Sequence, residues 1–384
     1  MATSKKTGRQ AAGESRASLF RRFRSQMRRA PALGWLIGAL LAVSIEVTVG
    51  RAIARAFGLQ DVPNLFGLPL IFTSPLSFPG ALLYVFLVYL VPAFAAALTT
   101  APLTNRAAKL LQERLPVWVG VIIHLALLYG VLHIWGSLND YRVLLLSFIF
   151  IAILLTLSLN LINGYMGEFS CSHPGFMALG AYVSSILSVL LFVNDDVFGA
   201  PLLPPALGPF LFPVILIIGG LVSSIGALIV AVPSFGTRGD YLAIISLAFT
   251  FIVKSIIENL EIIGGPRGFM NQPKYAGLPV VYVWMVICIW IIYNFTRSTL
   301  GKAACAVRDN ETAADAMTIN TRRTKMVTFL FAAFWAGIAG GLFAHVMGYI
   351  NPSTFGVLKL SEVLAMVYLG GLNSVIGSIA GAVG

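Results

Sequence analysis

The run VLLLSFIFIAILLTLSLNLI, residues 143–162, holds twenty residues without one charge. A helix of about 20 apolar residues crosses a hydrocarbon core about 30 Å thick. Nine further runs repeat the pattern, at about 32–50, 80–98, 116–134, 174–193, 211–231, 241–258, 279–296, 326–349 and 363–384. The chain is 58% hydrophobic and 11% charged, against about 25% charged in a soluble protein. No water-facing surface can be built from that composition, so lipid is the solvent. In lipid every backbone N–H and C=O needs a partner within the chain, which leaves helices or a closed barrel. No long alternating pattern marks a barrel. The sequence predicts an all-α polytopic membrane protein with about ten transmembrane helices. The final run stops at Gly384 with no basic anchor after it, which is expected of a chain truncated at its C-terminus.

Charge sets the orientation. Residues 1–30 hold nine Lys or Arg against Glu14 alone. A basic tail of this kind is retained on the cytosolic side and can touch anionic lipid. Nothing in it reads bases, so no nucleic-acid partner is expected. With the N-terminus cytoplasmic, loop 99–115 and loop 297–325 also fall inside. The second of these carries six basic residues against three acids. Asp195, Asp196 and the loop GGPRGF, 264–269, fall outside, as do Arg51 and Arg55, against the rule. Residues 51–79 can lie in the interface, and the proline-rich 200–213 reads as a rigid connection. Cys171, Cys288 and Cys305 have no paired spacing and read as free thiols. No metal cluster is expected.

One polar stretch interrupts the grease: VRDNETAADAMTINTRRTK, 307–325. Asp309 can cap a helix and Glu311 suits its first turn. The pattern predicts a helix over 310–319 with Ala313, Ala316 and Met317 along one side. So short a helix is marginal alone and gains from laying that side into a partner's groove. Thr321 can cap the next helix, and Arg322, Arg323 and Lys325 pin its end. Left to its own residues, the stretch reads equally as a solvated loop.

Other polar residues carry two readings each. Arg238 and Asp240, in TRGDYLA, anchor a helix start or make a second cytosolic contact. Lys254 and Glu258, four apart, can pair and either snorkel to the interface or stand on a solute route. Glu46 reads as a packing residue. Gly164, Gly167, Gly175 and Gly180 surround a break expected at 163–174, where glycine allows close helix approach or lets backbone line a cavity. Gly167 and His173 at that break join Lys254 and Glu258 as candidates for the translocation path, beside the plainer reading of helix packing.

Four stretches share an order and spacing: LSLNLINGYMGEFSCSHPGFMALGAYV at 157–183, RGDYLAIISLAFTFIVKSIIEN at 238–259, GGPRGF, and GKAACAVRDNETAADAMTINTRRTKMVTFLFAAFWAGIAGGLFA at 301–344. Together they resemble the membrane permeases of branched-chain amino acid ABC importers, the LivM type more than the shorter LivH type. The resemblance covers about 143–384. It implies an ABC permease core there, behind a basic tail (1–30) and variable membrane helices (31–142). It implies a transport subunit rather than an enzyme, in the inner membrane. The implied partners are a second permease, usually forming a heterodimer, two ATPase subunits that bind the ATP, and an extracytoplasmic binding protein. This chain itself would hold no cofactor. Loop 297–325 becomes the coupling loop, with Arg308, Asp309, Glu311, Ala313, Ala316, Met317 and Asn320 touching the ATPase. Three positions depart from the family pattern: Ser172 and Thr318 stand where glycine is usual, and Pro174 is an added break.

Relatives sharing NGY.G..S..H..F...GAY include urea and amide importers, which stay open as an alternative. An ion-coupled secondary transporter would need a charge site near the midplane, and Glu46 and Lys254 both lie off-centre. A membrane enzyme would need a catalytic cluster, and the sequence contains neither a phosphate-binding loop nor a nucleophile triad.

Overall fold

The computed structural model describes residues 32–59, 62–63, 77–114, 116–195, 197–235 and 241–384. Among these residues strand pairing is limited to two isolated bridges, and nine helices are long and apolar enough to cross a membrane. The chain divides into two compact units, Met1–Asp140 and Tyr141–Gly384.

The first unit contains α1 (Ala32–Ala56), α2 (Phe78–Thr99), α3 (Ala101–Arg114) and α4 (Val117–Gly136). The first span is longer than its apolar run: α1 carries Arg51 and Arg55 in its last turns. Loop 99–115 is mostly the polar helix α3. Within α2, Phe86–Leu90 widens into a π-helical turn. Pro92 follows and cannot donate to the carbonyl four residues back. Gly38 lets α1 meet α2, since a side chain there would strike the Ala93 backbone. Glu46 is buried and accepts a 2.6 Å hydrogen bond from the Tyr89 hydroxyl, a packing role of the kind expected.

The second unit runs α5 (Asp140–Met166), α6 (His173–Phe192), α7 (Gly208–Ser234), α8 (Tyr241–Asn259), α9 (Leu278–Arg297), α10 (Thr299–Asp309), α11 (Glu311–Ala316), α12 (Thr321–Met347), α13 (Val357–Gly370) and α14 (Val375–Val383). Its centre is α6, α7 and α12. Lipid is as apolar as leucine, so helices associate by close approach and shared hydrogen bonds. A side chain at Gly180 would run into the Gly337 backbone, and one at Gly340 into Met177. Ser223 donates to the Phe176 carbonyl at 2.9 Å, and Ser224 to the Leu330 carbonyl at 2.9 Å. His345 meets Ser188 at 2.8 Å.

The tenth apolar run is not one span. It holds the end of α13 and the whole of α14, which fold back on each other at Gly371–Ser374. Gly371 (φ 92°) and Asn373 (φ 62°) take left-handed conformations that stop a helix. Gly370, Gly377 and Gly381 then bring the two arms into backbone contact.

At one end of the second unit, Gly264, Gly265 and Gly268 all have positive φ and shape the GGPRGF loop. Phe269 exchanges backbone hydrogen bonds with Ile350. Asn271 donates to Asp195 at 2.9 Å. The two loops that charge placed on one side of the membrane are therefore joined. Loop 297–325 lies at the other end, against the break that follows α5.

Candidate functional site

The break starts where α5 loosens into a π-helical turn, Leu161–Met166, and stops at Gly167 (φ 78°). Residues 167–172 are not helical, and α6 begins at His173. Irregular backbone at this depth survives only when protein satisfies it. Here α8 does so: Ser246 accepts from the Cys171 N–H at 2.9 Å, and Thr250 donates to the Cys171 carbonyl at 2.9 Å. Asn163 accepts from the Ser170 N–H at 3.3 Å. His173, 1% exposed, lies 3.2 Å from the Ser158 hydroxyl. Its Nδ1 and Asn163 Nδ2 have no hydrogen-bond partner among the described residues.

Asn160, the residue just before the π-helical turn, holds the second reversal in place. Its Oδ1 accepts from the Asn373 N–H at 3.1 Å, and its Nδ2 donates to Ser378 at 2.6 Å and to the Ser374 carbonyl at 3.3 Å. Gly164 must be bare, because a Cβ there would collide with Asn160 Oδ1 and the Asn373 nitrogen. One side chain thus ties the end of α5 to a turn whose Asn373 lies 213 residues further along the chain.

The charged loop closes over this arrangement. Arg308 lays its methylenes where a Gly167 side chain would be and donates from Nη1 to the Gly164 carbonyl at 3.0 Å. Its other edge grips Asp309 at 2.7 Å. Lys325, only 12% exposed at its side chain, bridges Glu168 at 2.6 Å and Glu311 at 2.9 Å. The break is therefore tied to α10 through Arg308, and to α11 and α12 through Lys325. Beside them, burial raises the Cys305 thiol pKa, with Arg308 pulling the other way.

The helix α11 spans Glu311–Ala316, shorter than expected. Its cap is Asn310, which accepts from the Ala313 N–H at 3.0 Å, and not Asp309. Asp309 ends α10 and turns to Arg308 instead. The next helix is capped by Asn320, accepting from the Arg323 N–H at 2.9 Å, and not by Thr321. Of the small residues on α11, Ala314 is buried against the protein, whereas Ala313 and Ala316 face outward, as does Met317 (75% exposed) just after the helix. Thr318 has φ 65°, a conformation that favours glycine.

Residues 141–383 match the family model described as the permease component of the branched-chain amino acid transport system. The chain belongs to this permease family. It is 31% identical over 268 residues to the high-affinity branched-chain amino acid transport system permease protein LivM of Escherichia coli, covering 61% of this chain and 59% of that protein. Over 243 residues it is 23% identical to LivH of Salmonella typhimurium, covering 59% and 77%. Over 120 residues it is 27% identical to the autoinducer 2 import permease LsrC of Klebsiella pneumoniae, covering 29% and 35%. The chain thus spans about 59% of the length of the LivM proteins it matches. No solved structure matches it.

In this permease, Gly167, Arg308, Asp309 and Glu311 meet at one site, with His173 deeper in the same break. Lys254 and Glu258 do form the expected pair, at 3.6 Å. They lie one and two turns beyond Thr250 along α8, away from the break. Arg238 and Asp240 fall outside the described residues. Sequence reasoning missed Asn160, Asn163, Glu168, Ser246 and Thr250. An uncharged Asn or Ser in an apolar run is a weak signal, and only Glu168, a charge inside NGYMGEFS, stood out enough to be found.

Proposed function

We propose that this permease is the transmembrane subunit of an ATP-driven ABC importer for branched-chain or related hydrophobic amino acids. A second permease completes the pathway, two ATPase subunits supply the drive, and a binding protein delivers the solute from outside. In this reading loop 297–325 and the N-terminus are cytosolic, and α11 docks on an ATPase by Ala313, Ala316 and Met317. The observation that carries it is Lys325 standing between Glu168 and Glu311. A displacement of α11 is passed toward the break, because one half-buried ammonium holds a carboxylate from each. Arg308 makes the second tie, so the loop acts on Gly164 and Glu168 together. Residues 163–172 are the part of the path most able to change shape, since their backbone is held by side chains rather than by a helical ladder.

The decisive experiment reconstitutes the permease with its genomic neighbours and measures uptake of labelled leucine and of labelled urea. Binding-protein-stimulated, ATP-dependent leucine uptake is the expected result. Urea uptake without leucine uptake would move the substrate to the amide class, and uptake driven by an ion gradient without ATP would overturn the reading.

A further inference from the structure

A cavity of about 230 Å³ lies between α5, α6, α12 and α13. That is below the usual range of drug-sized pockets, about 300–1,000 Å³. Its walls are apolar: Phe148, Ile151, Leu155, Met177, Phe343 and Met366 among them. Against this lining stand two charges, Lys359 and Glu362, paired at 2.7 Å. The Lys359 side chain is 19% exposed and the Glu362 side chain 50%. The ammonium also lies 5.9 Å from the Phe343 ring.

We infer that this cavity is a binding site for a zwitterionic amino acid with an apolar side chain. The inference rests on the substrate class proposed above and places a selective site within the permease itself. An ion pair one turn apart with its carboxylate half exposed adds little to stability, and a charge inside a membrane protein ordinarily marks a partner or a path. An α-amino acid offers the matching pair of charges on neighbouring atoms. Its carboxylate meets Lys359 and its ammonium meets Glu362, so one ion pair is exchanged for two charge-assisted ones. The side chain then enters a pocket with no further charge to meet it, which disfavours acidic and basic amino acids. Met177 and Met366 are flexible enough to follow different branching patterns. The cavity also adjoins the break. Met177 is one turn along α6 from His173, and Leu155 is one turn before Ser158 on α5. A bound solute therefore rests about a turn away from Ser158 and His173, which meet at the edge of the break.

The test is binding of radiolabelled L-leucine to the purified full-length permease in lipid nanodiscs. Isoleucine and valine should compete, while isovalerate and isopentylamine, each lacking one charged group, should not. Lys359→Met and Glu362→Gln should each weaken binding at least about tenfold, the effect of losing a charged partner. Ala152→Leu, which narrows the cavity without touching the ion pair, should weaken it as well. Elution volume and unfolding temperature identify any variant that misfolds, and the other two then carry the comparison. Leucine binding unchanged in all three variants places the solute elsewhere and overturns the inference. So does a copurifying phospholipid that Ala152→Leu expels while leucine binding stays the same. Leucine uptake by the reconstituted complex without binding at this cavity sinks the site alone. Absence of uptake sinks the substrate class beneath it.

Discussion

Arg308 donates to the carbonyl of Gly164 at 3.0 Å across 144 residues of sequence. That carbonyl belongs to the π-helical turn that ends α5, so its bond to an external guanidinium replaces part of a helical ladder. The contact needs Gly167 to be bare, because the arginine stem fills the space a side chain would take. Gly167→Val should therefore cost stability twice over: a left-handed residue with a β-branch costs about 1–3 kcal/mol, and Arg308 is expelled. Gly167→Ala should show a milder form of both effects. Thermal unfolding of the purified chain checks the first, and leucine-stimulated ATP hydrolysis in the reconstituted complex checks the second. A Gly167→Val protein with normal unfolding and normal stimulation would show that the contact is incidental.

Lys325 separates two carboxylates of unequal burial. Glu168 is 26% exposed and Glu311 53%, so water screens the second more than the first. Lys325→Met should leave Glu168 in a poor environment and uncouple hydrolysis from transport. Glu168→Gln should have a smaller effect, and Glu311→Gln the smallest, within the range of about 0–1 kcal/mol for an exposed pair. The order of the three in stimulated hydrolysis is the readout, and a larger loss from Glu311→Gln than from Lys325→Met would contradict it.

Much of this arrangement was legible in the sequence, and the parts that were not have physical reasons. Helix number and length follow from hydropathy because lipid enforces them, and the nine long spans fall where the first nine apolar runs do. The tenth run failed because hydropathy sums composition and is blind to backbone sign: the run 363–384 is apolar enough to cross as a whole, yet Gly371 and Asn373 turn the chain back. The caps slipped by one residue because Asp309 and Asn310, like Asn320 and Thr321, all suit a cap, and only hydrogen-bond geometry decides between neighbours. The Lys254–Glu258 pair was readable since helical spacing alone brings it together. Asn160 was not, because its partners Asn373, Ser374 and Ser378 come from the far end of the chain. The Lys359–Glu362 pair went unremarked because the apolar lining that gives it meaning comes from four separate helices.

Asn160→Ala should free the turn at Gly371–Ser374. The Asn373 N–H would lose its acceptor, at a cost of about 1–3 kcal/mol if it stays buried. Faster amide exchange across 371–378, with the exchange of α7 and α9 unchanged, is the expected signature. Uniform loss of protection throughout the second unit would instead make Asn160 a general fold determinant.

Sidedness is open to labelling. Met270, 57% exposed beside the GGPRGF loop, and Thr312 on α11 should face opposite sides of the membrane. With an impermeant maleimide on intact cells, Met270→Cys should react and Thr312→Cys should not. Native thiols interfere little: Cys171 and Cys288 are buried, and burial raises the Cys305 pKa. A raised pKa leaves less reactive thiolate at neutral pH, so in the detergent-solubilised protein, where both sides are accessible, Cys305 labelling should climb only as pH passes the ordinary thiol range near about 8.5. Labelling of Thr312→Cys from outside would invert the proposed topology.

The surface of α11 gives the sharpest test of coupling. Ala314 fixes the helix to its own protein, while Met317 projects outward at 75% exposure. Thr318 follows in a left-handed conformation, just past the residue that caps the helix. Thr318→Gly should relieve that backbone and stabilise the chain by about 1 kcal/mol, less what glycine gains in the unfolded state. It should leave coupling intact, because no contact is removed. Met317→Glu should do the opposite. The chain alone should unfold as the parent does, since an exposed side chain has been exchanged for a soluble one. In the complex, the carboxylate would be buried without a partner against the ATPase, a loss of about 3–5 kcal/mol. At tenfold per about 1.4 kcal/mol that suffices to release the ATPase from detergent-solubilised complex. Copurification of the ATPase and leucine-stimulated hydrolysis should therefore fail together in Met317→Glu and survive together in Thr318→Gly. Full assembly and full stimulation with Met317→Glu would leave α11 a solvated turn and overturn its proposed docking on an ATPase.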